Sequence, residues 1–272
     1  MGRDHPSPRW HRARDQLEGG GTVSAKDIDD LAKLQGPEAV ASLLASAQEI
    51  PSSTSPPLHA APAVAPLGAD AFYGIAGTIV RKIAPHTEAD PAAMLIQLLV
   101  AFGNCVGRGP HFRVEDTPHF ATEFAVIVGK SSKARKGTSL NRIAGLLEVA
   151  DADWQRDCLA HGLVSGEGVV WNIRDDSSGK NGELIQGIAD KRLFIGEEKF
   201  GGALSAGGRK DSTLTAIIRA AWDGKDLRTM AKNCPARATA PHVSLIGHIT
   251  FDELKNKLRG DGLSNGFANR FL

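Results

Sequence analysis

The sequence predicts an α/β domain with a largely parallel sheet. Short apolar runs recur at Phe124–Val128, Leu193–Ile195 and His242–His248. Helical periodicity follows them: Leu140, Ile143, Leu146 and Leu147 after the first, Ser212–Trp222 after the second, Phe251–Leu258 after the third. Strands that alternate with helices need crossovers, and crossovers build parallel sheets with helices on their faces.

The chain has 272 residues, of which 42% are hydrophobic and 23% charged. That is ordinary for a globular protein and enough for a real core. The net charge of +1 gives no global field for nucleic acid, so any such contact is local. Cys105, Cys158 and Cys234 are far apart and show no metal spacing. They read as buried thiols in a reducing cytoplasm, which is the expected location. No apolar run reaches the ~18 residues of a membrane span, so no membrane contact is expected.

Residues 1–24 are polar and basic and end in three glycines, so a disordered tail is expected. Residues 25–50 carry two short helical patterns split at Gly36-Pro37. Residues 51–68 are rich in proline and alanine, the composition of a linker. The globular domain is expected over residues 69–272. Its first elements are helices over 70–84 and 90–104, the second capped by Asp90 before Pro91. A strand is expected over His111–Val114 and a turn over Asp116–Pro118. Next come the strand Phe124–Val128 and a helix from Thr138 to Val149. A helix over Asp151–Leu159 and a strand around Val169–Ile173 follow. Asp175–Gly182 reads as a loop and Lys225–Met230 as one arm of a hairpin. Thr250 and Glu253 form a capping signal for the helix over Phe251–Leu258. Gly266–Leu272 looks like the start of one more strand, so the core is expected to be truncated at its C-terminal end.

The richest chemistry lies between the first strand and its helix. The segment Gly129-Lys130-Ser131 through Lys136-Gly137-Thr138-Ser139 is basic and rich in N–H donors. A strand, such a loop and a helix N-terminus form the geometry that holds phosphate. Lys130 comes too early to curl over an anion. Lys136 is therefore the expected phosphate lysine, with Thr138 or Ser139 as the hydroxyl on a metal. Gly129 opens the loop, Gly137 relaxes it, and Lys133 and Arg135 add charge. The bland reading is a solvated basic turn.

About 60 residues further on, the apolar run Leu193-Phe194-Ile195-Gly196 ends in Glu197 and Glu198. Transfer of a phosphoryl group to water needs a carboxylate near Mg²⁺ and a group that orients the water. Glu197 is assigned to the metal side and Glu198 to the water. His248 follows another apolar strand and is a candidate contact to the γ-phosphate or the water, or a structural histidine. Arg270 is a candidate finger toward a neighbouring subunit's nucleotide, or a surface ion pair. Glu167 sits in Ser165-Gly166-Glu167-Gly168, which reads as a turn.

Together VGKSSKARKGTSLNRI, SGEGVVW, LFIGEEKF, HVSLIGHITFDEL and GFANRFL resemble the P-loop ATPase family of phage, plasmid and bacterial primase–helicase proteins. The resemblance covers residues 70–272. It implies a three-layer, RecA-like core, ATP with Mg²⁺, and action on DNA (single-stranded or forked) in replication of a mobile element. It also implies a homo-oligomeric ring and a primase as partner. By that match Lys136, Thr138, Glu197, Glu198, His248 and Arg270 fall on nucleotide-site positions. Gly196 and Lys199 depart from it, because more acidic or apolar residues would suit those places. The rival readings are a nucleotide-binding assembly module with little hydrolysis, an inactive fragment, and a DNA-binding protein that uses Lys130–Lys136 without nucleotide.

Overall fold

A computed structural model describes residue 38 and residues 67–129, 136–179, 182–229, 235–258 and 266–272. The chain divides into two units, Met1–Pro66 and Leu67–Leu272. The tail, short helices and linker expected over residues 1–66 lie outside the described residues, apart from Glu38. So do Lys133 and Arg135 of the basic loop. The elements of the second unit are as follows.

A 3-10 turn at Ala69–Ala71 precedes α1 (Gly74–Ile83) and α2 (Pro91–Val106). The Asp90 carboxylate accepts the N–H groups of Ala92 and Ala93 at 2.7 and 3.3 Å and so caps α2 as its sequence requires. β1 (His111–Val114) and β2 (Thr117–Phe120) pair as an antiparallel hairpin. The expected turn over Asp116–Pro118 therefore moves back by one residue: Glu115 takes the left-handed conformation at φ 52° and Thr117 already pairs. β3 (Phe124–Val128) and α3 (Lys136–Ala150) stand where they were expected.

The next segment differs. The helix expected over Asp151–Leu159 is short and π-helical at Trp154–Cys158, and it runs into β4 (Leu159–Ala160). The expected strand at Val169–Ile173 is instead α4 (Gly166–Asn172). Val169, Val170 and Ile173 share one side of a helical turn and are all buried. Ser165 Oγ accepts the Gly168 N–H at 3.0 Å, which makes it a cap. Glu167 is thus in a first helical turn, where its carboxylate accepts the Thr213 hydroxyl at 2.9 Å.

β5 (Ser177–Ser178) and β6 (Leu184–Ile185) pair in a small antiparallel ribbon. β7 (Arg192–Glu197) leads to α5 (Phe200–Gly207) and α6 (Leu214–Trp222). β8 (Leu227–Thr229) pairs antiparallel with β9 (Ala236–Ala238), which completes the hairpin suggested by Lys225–Met230. β10 (His242–Ile249) and α7 (Phe251–Lys257) follow, and Thr250 Oγ1 caps α7 by accepting the Glu253 N–H at 3.2 Å.

The main sheet has the order β3-β10-β7-β4, with all pairs parallel. Leu272 extends it beyond β3. Its N–H donates to Phe124 O and its carbonyl accepts the Val126 N–H, both at 2.9 Å, the pattern of a parallel ladder. Alternation along the strands feeds two cores. Ala125, Phe194 and Ile246 pack with Met94, Leu98, Leu140, Ile143 and Trp154 on the face of α1, α2 and α3. Phe124, Leu193, Ile195, Val243, Leu245 and Ile249 pack with Val170, Phe200, Ile218 and Leu227 on the face of α4, α5 and α6. The result is a three-layer α/β/α domain. Among the described residues no helix is long and apolar enough to cross a membrane.

A buried amide ties the first helical layer to the sheet. Asn104, fully buried in α2, donates through Nδ2 to Leu193 O at 3.2 Å, His242 O at 3.0 Å and Ser244 Oγ at 3.3 Å. Its Oδ1 accepts the Trp154 indole N–H at 2.8 Å. Removing it strands several buried polar groups at once, each of which costs about 1–3 kcal/mol. Asn104→Ala is expected to lower unfolding free energy by about 3 kcal/mol in urea titration; a change within about 0.5 kcal/mol would contradict this role.

His242 gives the fold a pH dependence. Burial is the main cause that lowers its pKa below the ordinary histidine value, while its bond to Gly103 O at 2.9 Å works the other way. The unfolded chain binds this proton below about pH 6.5 and the folded chain resists it. Stability is therefore complete above that value and falls as the solution is acidified through it. The urea midpoint is expected to drop between pH 7.5 and 5.5 in the wild type and to drop less in His242→Gln. Equal slopes would contradict the assignment.

Candidate functional site

The carboxyl edge of the sheet brings the loop and the acids together. Val128 aligns with Ile249, and Glu197 with Gly247, in the two parallel ladders. The Gly129 N–H donates to Ile249 O at 3.1 Å. β3 and β10 are neighbours, yet the helices that follow them lie on opposite faces: α3 in the first core, and α7, through Leu254, against the second. Adjacent strands whose connections part in this way leave a crevice beyond their carboxyl ends, the place where open α/β sheets bind ligands.

α3 begins at Lys136, whose side chain lies outside the described residues. At the next position the helix touches the acids. A Cβ on Gly137 would stand 2.9 Å from Glu198 Oε1 and 3.4 Å from Glu198 Cδ. The carboxylate therefore lies against the first turn of α3, and a side chain at this position would push it aside. A carboxylate beside a helix N-terminus is favoured by the unpaired N–H groups and the helix dipole, by about 0.3–1 kcal/mol. Thr138 is exposed and Ser139 is only 1% exposed. Of the two hydroxyls, the one that solvent or a metal reaches is Thr138.

Glu197 has a structural task. Its Oε2 accepts the N–H groups of Gly162 and Leu163 at 3.0 and 2.8 Å, and its Oε1 accepts that of Lys199 at 3.2 Å. The carboxylate clasps the loop after β4 to the end of β7. Two bonds occupy Oε2, and Oε1 keeps one acceptor position.

Two residues were missed in the sequence. An open cleft of about 340 Å³ is lined by Asn141, His161, Gly196, Glu197, Glu198 and Lys199. His161 directly follows β4, and its Nδ1 is hydrogen-bonded to Gly196 O. A strand of two residues carries almost no periodic signal, so this histidine was read as lying past the end of a helix. Asn141 was legible: it is one helical turn after Gly137, on the same face. The structure also accounts for Gly196. A Cβ there would be 3.0 Å from Leu140 Cδ2 and 3.2 Å from His161 Cε1, so a larger residue would press on both α3 and the histidine.

Two candidates are not brought to the cleft. His248 is 2% exposed, and its Nε2 is 3.1 Å from Gln97 Nε2 in α2. It points into the first helical layer, as alternation along β10 dictates. Arg270 lies at the opposite edge of the sheet, because Leu272 bonds beside Phe124 at the start of β3. Its guanidinium donates to Gly266 O at 2.7 Å, pairs with Asp223 at 3.4 Å and rests 5.6 Å from the Trp222 ring centre. Within the chain this is the ion pair that its sequence also allowed.

The chain matches no protein-family model and no curated protein. The chemistry of the cleft is therefore read from its geometry and its motifs.

Glu197→Ala removes the acceptor of two loop amides. The amide hydrogens of Gly162 and Leu163 are expected to exchange about tenfold faster or more, the equivalent of losing about 1.4 kcal/mol of local protection. Unchanged exchange at both would contradict the clasp.

Proposed function

We propose that the chain binds and hydrolyses ATP with Mg²⁺ at the carboxyl edge of the sheet, between the start of α3 and the end of β7. The observation that carries this reading is the contact between Glu198 and the first turn of α3. The N–H groups at the start of α3 and the exposed Thr138 lie at this edge, and in sequence the basic stretch Lys130–Lys136 directly precedes them.

The residues fit a magnesium-bound triphosphate. A phosphate brought to α3 meets a carboxylate already there, and two anions a few ångströms apart require a cation between them. Thr138 would supply a hydroxyl and Glu197 its one remaining acceptor position. Mg²⁺ keeps several waters and needs only one or two protein ligands besides phosphate. When bound, the ion neutralises charge on the phosphate oxygens.

The roles follow from position. Lys136 neutralises the outer phosphates, as a phosphate-loop lysine does, with Lys133 and Arg135 adding charge. The α3 N–H groups hold the anion. Glu198, exposed and unclasped, orients the attacking water. Glu197 keeps the loop after β4 in register with the acids. His248 and Arg270 carry no part inside one chain. The likeness of the motifs to primase–helicase ATPases supports coupling of hydrolysis to DNA in replication of a mobile element, within a ring of copies and beside a primase.

The purified chain is expected to hydrolyse ATP only with Mg²⁺. Lys136→Ala is expected to lose turnover by about a hundredfold or more, and Glu198→Gln to lose it while still binding ATP. ATP with Mg²⁺ should also raise the melting temperature, since it binds the folded state alone. Unchanged turnover in Lys136→Ala, or no thermal shift in the wild type, would overturn the reading.

A further inference from the structure

The motif reading leaves His161 without a role, yet it lines the same open cleft as Glu198 and Asn141. Its position is enforced. The loop that carries it is held by two N–H bonds from Gly162 and Leu163 to Glu197. The ring itself is bonded through Nδ1 to Gly196 O. A carbonyl can only accept, so Nδ1 carries a proton, and in the neutral ring Nε2 then carries the lone pair. Gly196, which lacks a Cβ, lets the ring lie against the strand. The charged groups around it in the cleft are Glu197, Glu198 and Lys199.

A fixed acceptor beside an exposed carboxylate suits a bound water better than an anion. A neutral Nε2 lone pair repels a phosphate oxygen but accepts a hydrogen bond from water. We infer that His161 Nε2 and the Glu198 carboxylate together hold the water that attacks the γ-phosphate, which makes His161 a second catalytic residue of the site. This rests on the ATPase reading above. In the step, the water oxygen bonds to the γ-phosphorus and the bond from phosphorus to the β–γ bridging oxygen breaks. That bond's electron pair stays on ADP. The water proton facing Glu198 is accepted there and passes to the released phosphate, while the other stays hydrogen-bonded to Nε2. Products are ADP and inorganic phosphate, and His161 ends as it began.

His161→Asn tests this, because an Asn amide can still donate to Gly196 O but has nothing at the place of Nε2. The variant is expected to lose turnover on the order of a hundredfold while the thermal shift with Mg²⁺ and the non-hydrolysable analogue AMP-PNP is retained. Independently of any variant, carbethoxylation of His161 in the wild type, located by mass spectrometry, should be slowed several-fold by AMP-PNP with Mg²⁺. Turnover of His161→Asn within about twofold of wild type would overturn the role and leave the ATPase reading standing. Absence of any thermal shift in the wild type would overturn both. Should His161→Asn not fold, unprotected carbethoxylation in the presence of a thermal shift would overturn the role of His161 alone.

Discussion

Parallel pairing of β10 with both β3 and β7 is the constraint on which the rest depends. A strand flanked on both sides by parallel neighbours cannot be joined to them by hairpins. Each connection must cross a face and return, and every strand then ends at the same edge. Residues far apart in sequence, such as Gly137, His161 and Glu198, meet there without any local signal that they should. β10 is buried along its whole length, which is why it reads as a continuous apolar run. Asn104 locks the arrangement by bonding to the carbonyls of Leu193 and His242 on the two central strands.

The edge so formed is electrostatically unfinished. Glu198 rests at the start of α3, where a helix attracts anions. Glu197 is engaged by three N–H groups and serves the backbone. The adjacent acids thus do different work: one fixes a loop, the other faces the cleft. Neither thiol near the far side of α2 competes as a reactive group. Burial, and after it the charges of Asp151 for Cys105 and Asp190 for Cys158, push both pKa values up to about 12.

Much of this was legible in the sequence. The strands β3, β7 and β10 were visible as apolar runs, and α3, α6 and α7 as periodic patterns, since core burial imposes both. The caps at Asp90 and Thr250 were visible because orphan helix N–H groups need an acceptor. The errors fell on short elements. Val169, Val170 and Ile173 are β-branched and looked like a strand, but the cap at Ser165 and their packing against α6 make them helical. β4 is two residues long and paired only with β7, so its identity comes from tertiary contact. That is why His161 carries no signal in the sequence. His248 turns into the first helical layer and Arg270 pairs with Asp223, the structural alternatives the sequence left open. The face a strand residue takes and the edge a terminal segment reaches depend on register and topology, not on composition.

The central claim is that one nucleotide site lies at the carboxyl edge, between the start of α3 and the end of β7. The most direct measurement is an experimental structure of the full chain with Mg²⁺ and AMP-PNP. The account predicts the triphosphate against the N–H groups of Gly137 and Thr138, with the γ-phosphate facing Glu198 and His161. A nucleotide bound at the amino edge near Arg270 and Asp223, or at a site that leaves Gly137 and Glu198 in contact with each other alone, would contradict it.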